Sequence, residues 1–216
     1  MSPPTILTMK IEKIEPSRHK KGRILIFLED GTLLKVTEQE LVTFGLRAGD
    51  MIEEEELSRL RDASGRSGVK ADAAEIIGRR AMSRADLEKK LREKGAGAND
   101  ARYAAEWLEA IGGLNDADYA ALLIRHCASM GYGPARYREE LRRHGIPREL
   151  WTEAMDAAGP PEEIVDRFLQ GRFQGGAPDE RARRRASDAL ARRGFGWSDV
   201  RDGLRRYAEN LSEEQE

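Results

Sequence analysis

The stretch Gly113–Ile146, GLNDADYAALLIRHCASMGYGPARYREELRRHGI, decides the fold, because it holds two helices and the turn between them. Asn115 is placed to cap the first helix. Asp116 and Asp118 fall in its first turn, where the positive end of the helix dipole favours carboxylates. Tyr119, Leu122, Leu123 and His126 recur at three- and four-residue spacing, which predicts one buried face. Gly131 and Gly133 stop this helix, and Pro134, at a first helical position, starts the next. Tyr137 and Leu141 then form a buried stripe, while Arg136, Arg138, Arg142 and Arg143 face away from it and Gly145 ends the unit.

The same frame recurs on either side. Ser83 is placed to cap a helix over Arg84–Lys94, with Asp86 at the capping-box position, Leu87 and Leu91 on one face and Gly95 as the stop. Leu87, Leu91 and Gly95 lie 50 residues before Tyr137, Leu141 and Gly145, and Ser83 is in register with Gly133. A shift of 49 residues brings Ala186, Leu190 and Gly194 into the same positions. The following helices correspond too: Ala101 and Ala105 match Trp151 and Met155, then Val200 and Leu204. A period near 50 residues predicts a stacked array, elongated and curved, of three three-helix repeats at 70–112, 113–158 and 160–211. The third copy is degenerate, as terminal repeats often are, and the tail at 212–216 should fray.

Residues 1–62 differ in character and read as a small α+β domain. Leu7, Met9 and Ile11 alternate with polar neighbours as in a half-buried strand, and Ile24–Leu28 is a continuous apolar strand. Asp30-Gly31 predicts a tight hairpin returning through Thr32–Val36. Thr37 and Glu40 form a capping box for a short helix with Leu41, Val42 and Phe44 inward, and Leu46, Met51 and Ile52 close the sheet. A helix over Glu53–Leu60 follows. The Ser- and Gly-rich run at 63–69 reads as a flexible linker ahead of the first repeat.

Composition narrows the function classes. With 35% charged and 6% aromatic residues, the chain suits a mainly helical protein better than a large all-β fold. A net charge of −2 argues against a dedicated nucleic-acid coat, although local clusters can still bind. Cys127 is alone and sits in a helix interior, so it is expected as a small core residue. No leader and no apolar run of about 18 residues is evident, which predicts a soluble cytoplasmic protein with no membrane partner. His19, His126 and His144 have no neighbours at metal-ligand spacing, and no phosphate-cradling Gly-rich loop appears. We assign no catalytic residue, no cofactor and no metal.

The ordered combination of Ser83-Arg84-Ala85-Asp86-Leu87, Lys94-Gly95, Leu114-Asn115-Asp116 with Tyr119-Ala120, Gly131-Tyr132-Gly133-Pro134, Glu140-Leu141 and Gly145-Ile146 resembles the RecX recombination regulators. The resemblance covers Ala71 to Ala158 well and the third repeat more weakly, and the β segment looks like an extra domain that some members carry. It implies a non-enzymatic monomer that binds the RecA recombinase, above all its filament on single-stranded DNA. It also implies inhibition of filament extension, ATP hydrolysis and strand exchange. A helical-repeat protein acting on single- or double-stranded DNA without RecA is the alternative.

The sharper candidates for contact are basic. Lys89, Lys90, Arg92 and Lys94 lie on the middle helix of the first repeat, and Arg138, Arg142 and Arg143 on that of the second. Arg181, Arg183, Arg184, Arg185, Arg192 and Arg193 crowd the third. Equivalent positions in stacked units would form a discontinuous basic stripe suited to an acidic protein surface or to phosphates. For any one residue a solvated helix face accounts for the charge equally well. Trp107, Trp151 and Trp197, in or just before the last helix of each repeat, are expected as packing residues rather than a base-stacking platform.

Overall fold

The hairpin and capping signals set the N-terminal architecture. In the computed structural model, which describes residues 8–213, strands β1 (Thr8–Pro16), β2 (Arg23–Leu28), β3 (Leu33–Thr37) and β4 (Met51–Glu53) form one antiparallel sheet. Its order is β3-β2-β1-β4. Leu7 lies outside the described residues. Ile26 pairs with Leu34 across the Asp30-Gly31 turn, and Ile14 with Ile26 on the other side. Helix α1 (Glu38–Thr43) opens with the expected capping box: the Thr37 side chain accepts from the Glu40 N–H and the Glu40 carboxylate from the Thr37 N–H. Ile11, Ile26, Leu28, Val36 and Ile52 fill the core, with Leu57 and Leu60 closing it from helix α2 (Glu54–Arg79). Two inward assignments fail. Val42 is 74% exposed, and Met51 points to solvent because strand alternation sends Ile52 inward instead.

Helix α2 also overturns the linker. Residues 63–69 are helical, so the helix expected over Glu53–Leu60 runs on through them as one element of 26 residues. Tertiary contacts explain the override. Ser64 donates to the Lys35 carbonyl, Ser67 donates to the Glu40 carboxylate, and the Arg23 guanidinium lies against Gly68. Low intrinsic helix propensity is outweighed when side chains of the segment dock on a sheet.

The remaining chain is helical: α3 (Arg84–Glu93), α4 (Ala98–Ala110), α5 (Asp116–Ser129), α6 (Pro134–Arg143), a 3-10 turn (Arg148–Leu150), α7 (Trp151–Asp156), α8 (Pro161–Phe173), α9 (Glu180–Arg192) and α10 (Trp197–Glu213). Two compact units result. One contains the described residues to Arg79 with Glu88–Gly113; the other contains Arg80–Leu87 with Leu114 onward. In the first unit α4 packs on α2, burying Ala101, Ala104, Ala105 and Leu108.

In the second unit, α5–α7 and α8–α10 each enclose a core. Ala120, Ile124, Cys127, Tyr137, Leu141, Ile146 and Ala154 make one. Val165, Leu169, Ala186, Leu190, Phe195 and Tyr207 are central to the other. The buried face of α5 is thus rotated from the expected one. Tyr119 and Leu123 sit at its edge, His126 is exposed and Leu122 is 50% exposed. Cys127 is a core residue, and burial pushes its thiol pKa up.

The Tyr137 hydroxyl is buried and makes no hydrogen bond to a described residue; burial pushes its pKa up to about 12. Leaving a polar atom unsatisfied costs about 1–3 kcal/mol, so Tyr137→Phe should stabilise the protein by about 1 kcal/mol. Thermal unfolding is expected to show a midpoint a few degrees higher. A fall in the midpoint would mean that the hydroxyl is bonded after all.

Candidate functional site

The middle helices of successive repeats meet end to end inside the second unit. Gly133, the residue before α6, donates its N–H to the Arg193 carbonyl at 2.8 Å, and Ala135 donates to the Gly194 carbonyl at 3.0 Å. The C-terminal end of α9 therefore satisfies orphan donors at the N-terminal end of α6. This also explains why Gly133 offers no side-chain cap. A Cβ there would lie 2.8 Å from the Gly194 carbonyl carbon and oxygen and from the Phe195 ring.

A related junction joins the first turn of α3 to the end of α6. Ser83 Oγ donates to the His144 carbonyl at 2.6 Å while accepting from the Asp86 N–H at 3.1 Å. Asp86 Oδ2 and His144 Nδ1 stand 2.6 Å apart, and Asp116 accepts from the Arg84 N–H at 2.7 Å. Asp116, read from its position as a dipole-stabilising residue of its own helix, thus also caps the neighbouring one. In both junctions a helix C-terminus abuts a helix N-terminus, so the dipoles run head to tail.

This scaffold sorts the basic residues. Arg138 and Arg142 are exposed on α6 and form no ion pair among the described residues. Arg143 is instead tied, with Arg136, to the buried carboxylate of Glu140. Arg138 borders a 500 Å³ hollow with Tyr137, Met155 and Pro161. On α9, Arg181, Arg183, Arg184, Arg185 and Arg192 are exposed and likewise unpaired among the described residues. Arg185 and Arg192 meet Arg172 and Phe168 of α8 in a groove of about 500 Å³ that holds one carboxylate, Asp188. Arg193 belongs to the scaffold. Its guanidinium donates to the Gly131 carbonyl at 3.3 Å and stacks 5.1 Å from the Phe168 ring centroid. In the first unit, Lys89 lies 4.0 Å from Glu93, Arg92 donates to the Glu88 carbonyl, and Lys94 lies 3.7 Å from Asp72. Lys90, half-buried on α3, has no ion pair among the described residues.

The tryptophans divide. Trp107 is half-buried with Lys70 5.1 Å from its ring, and Trp151 is half-buried with its indole N–H donating to the Ile146 carbonyl at 2.9 Å. Both are packing residues, as expected. Trp197 is not: it is 75% exposed at the start of α10. Arg201 stacks 4.7 Å from its ring, and Arg183 and Arg205 line the same 360 Å³ groove between α9 and α10. Arg201 and Arg205 escaped the sequence reading. Their spacing of four and eight residues from Trp197 on one helix face was the available signal.

Among the described residues no group of three or more His, Cys, Asp or Glu side chains could hold a metal, and no helix is long and apolar enough to cross a membrane. The profile described as "RecX, second three-helix domain" matches residues 115–155, the span of α5 to α7. Similarity extends to "Regulatory protein RecX" of Stenotrophomonas maltophilia (strain R551-3), 37% identical over 60% of this chain and 81% of that protein. The corresponding protein of Xanthomonas oryzae pv. oryzae (strain MAFF 311018) is 36% identical over 60% and 82%. Among solved structures, "Crystal structure of regulatory protein RecX" shares the fold with a TM-score of 0.72 and 24% identity, over 92% of this chain and 99% of that one. RecX from Lactobacillus salivarius gives 0.59 and 18%, over 68% and 98%. With repeated helix junctions, a matching central domain and relatives matched along four-fifths of their length, the chain belongs to the RecX family of regulatory proteins.

Proposed function

We propose that this protein binds the RecA recombinase, chiefly its filament on single-stranded DNA, and inhibits filament extension, ATP hydrolysis and strand exchange. The observation that supports this reading most is the set of uncompensated cations on α6 and α9, two helices of one unit that an end-to-end junction joins. Its three helical repeats, taken as 70–112, 113–158 and 160–211, would each present a modest contact. Contacts with successive subunits of a polymer multiply, so weak individual affinities suffice to hold or cap it. Such a protein works by position and needs no reacting group of its own.

Trp197 supports a second reading, direct binding of nucleic acid. An exposed indole beside Arg183, Arg201 and Arg205 has the parts of a single-strand site: a stacking surface for a base and guanidinium groups for its phosphates.

One pair of measurements separates the two. RecA ATPase on single-stranded DNA is followed while the protein is added at substoichiometric ratios, and its affinity for the same DNA is measured at two salt concentrations. The first reading expects strong inhibition at ratios well below one per RecA, with weak and salt-sensitive DNA binding. Tight DNA binding with inhibition only at lattice-saturating amounts would support the second.

A further inference from the structure

The first unit has a large concavity of its own. It is a cleft of about 940 Å³ between the sheet, α2 and the end of α3, at the upper end of the range for ligand sites. Its floor is aliphatic: Leu25, Leu33, Leu34, Val69 and Leu91 line it, and Leu33 is 42% exposed there. Its rim is cationic. Lys20 comes from the β1–β2 loop, Arg23 from β2, Lys35 from β3, Arg61 from α2 and Lys94 from the turn after α3.

Among the described residues Asp72 is the only carboxylate on the wall, and two lysines share it, Lys20 at 3.5 Å and Lys94 at 3.7 Å. Arg61 reaches Glu54, 3.5 Å away, outside the cleft lining. Arg23 donates to the Lys35 carbonyl, and neither Arg23 nor Lys35 has an ion pair among the described residues. Positive charge therefore exceeds negative around an apolar trough.

We propose that this cleft binds an acidic peptide segment of a partner protein, one whose carboxylates alternate with aliphatic side chains. Three observations select that occupant. The cations come from five separate elements spaced around the rim, whereas a compact inorganic anion requires convergent donors. Among the described residues no Phe, Tyr or Trp lines the cleft and His19 is its one ring, so a run of bases would find little aromatic surface to stack on. An extended peptide turns alternate side chains to opposite sides, setting leucines on the floor and glutamates toward the rim. Asp72 then acts as an internal competitor, occupying the two lysines until a partner carboxylate replaces it. The site is independent of the RecA reading.

The test uses the full chain and a fluorescein-labelled ten-residue peptide of alternating Glu and Leu, read by fluorescence anisotropy. Binding at least tenfold tighter than to an all-Glu or an alternating Lys–Leu peptide is expected. Lys35→Gln with Arg23→Gln should weaken it at least tenfold, and Leu33→Ser several-fold. Asp72→Asn should tighten it several-fold, a gain that misfolding cannot produce. Unlabelled oligo-dT of 20 nucleotides should not displace the peptide. Equal binding of the all-Glu peptide, displacement by the oligonucleotide, or indifference to Asp72→Asn would each overturn the proposal.

Discussion

Changing Arg181, Arg184 and Arg185 together to Glu is expected to weaken binding to the RecA filament by at least a hundredfold while leaving helix content unchanged. These three side chains are exposed on α9 and have no ion pair among the described residues, so reversal breaks no internal contact. Their placement also runs against local stability. Arg181 stands in the first turn of α9 and the other two in the next, near the dipole end that repels cations. Glutamate there should cap the helix better than arginine does, by a few tenths of a kcal/mol for the first-turn position. Each reversal at a charged interface replaces attraction with repulsion. About 1 kcal/mol apiece gives roughly 3 kcal/mol, or more than a hundredfold in affinity. Adding Arg138→Glu and Arg142→Glu on α6 should deepen the loss, whereas Arg193→Glu should act through stability, because Arg193 holds the Gly131 carbonyl. Filament affinity by anisotropy at two salt concentrations, with circular dichroism and a melting curve on each variant, checks this. An affinity within threefold of the unmodified protein would remove α9 from the interface.

How far such residues could be found without coordinates depends on what local rules encode. The Asp30-Gly31 hairpin, the Thr37–Glu40 capping box and the Asn115 cap were all legible, because each is settled by a few neighbouring residues. Helix α5 shows where periodicity runs out. It carries two interleaved series, Tyr119-Leu123-His126 and Ala120-Ile124-Cys127, and the larger side chains drew the expected face toward the first. The buried centre follows the second, where alanine permits close packing. The Ser- and Gly-rich run at 63–69 carries no local sign of its helix, because its order comes from Lys35, Glu40 and Arg23, all distant in sequence. The arginine clusters were visible as composition. Which of them are committed internally was not, since Glu140 and the Gly131 carbonyl only meet Arg143 and Arg193 in the folded chain. The general tendency of tryptophan to pack does not hold for Trp197, which stands exposed at the start of α10.

The junction between α6 and α9 makes the strongest stability claim, and Gly133→Ala tests it cleanly. Gly133 has φ −107°, which alanine adopts without strain, so any cost arises from the space around the new methyl. That methyl would meet backbone, the carbonyl carbon and oxygen of Gly194 at 2.8 Å, together with the Phe195 ring. Backbone cannot rotate away as a side chain can, so the two helix ends must separate. Overpacking of this kind costs about 1–3 kcal/mol. Separation also weakens the Gly133–Arg193 and Ala135–Gly194 hydrogen bonds, at about 0.5–1.5 kcal/mol each. The expected total is roughly 2–6 kcal/mol, large against the stability of a domain. Gly194→Ala adds strain to the same clash, since φ is +92° and its Cβ would lie 2.7 Å from the Arg136 nitrogen. Gly171→Ala on α8 is the control: nothing lies within 4 Å of its Cβ, and alanine in a helix interior should stabilise by about 0.5–1 kcal/mol. Urea unfolding of the three variants distinguishes the cases, with Gly133→Ala and Gly194→Ala shifted down and Gly171→Ala unchanged or up. If Gly133→Ala proved as benign as Gly171→Ala, the helix ends would not bear on each other, and the proposal that α6 and α9 present their arginines together would lose its support.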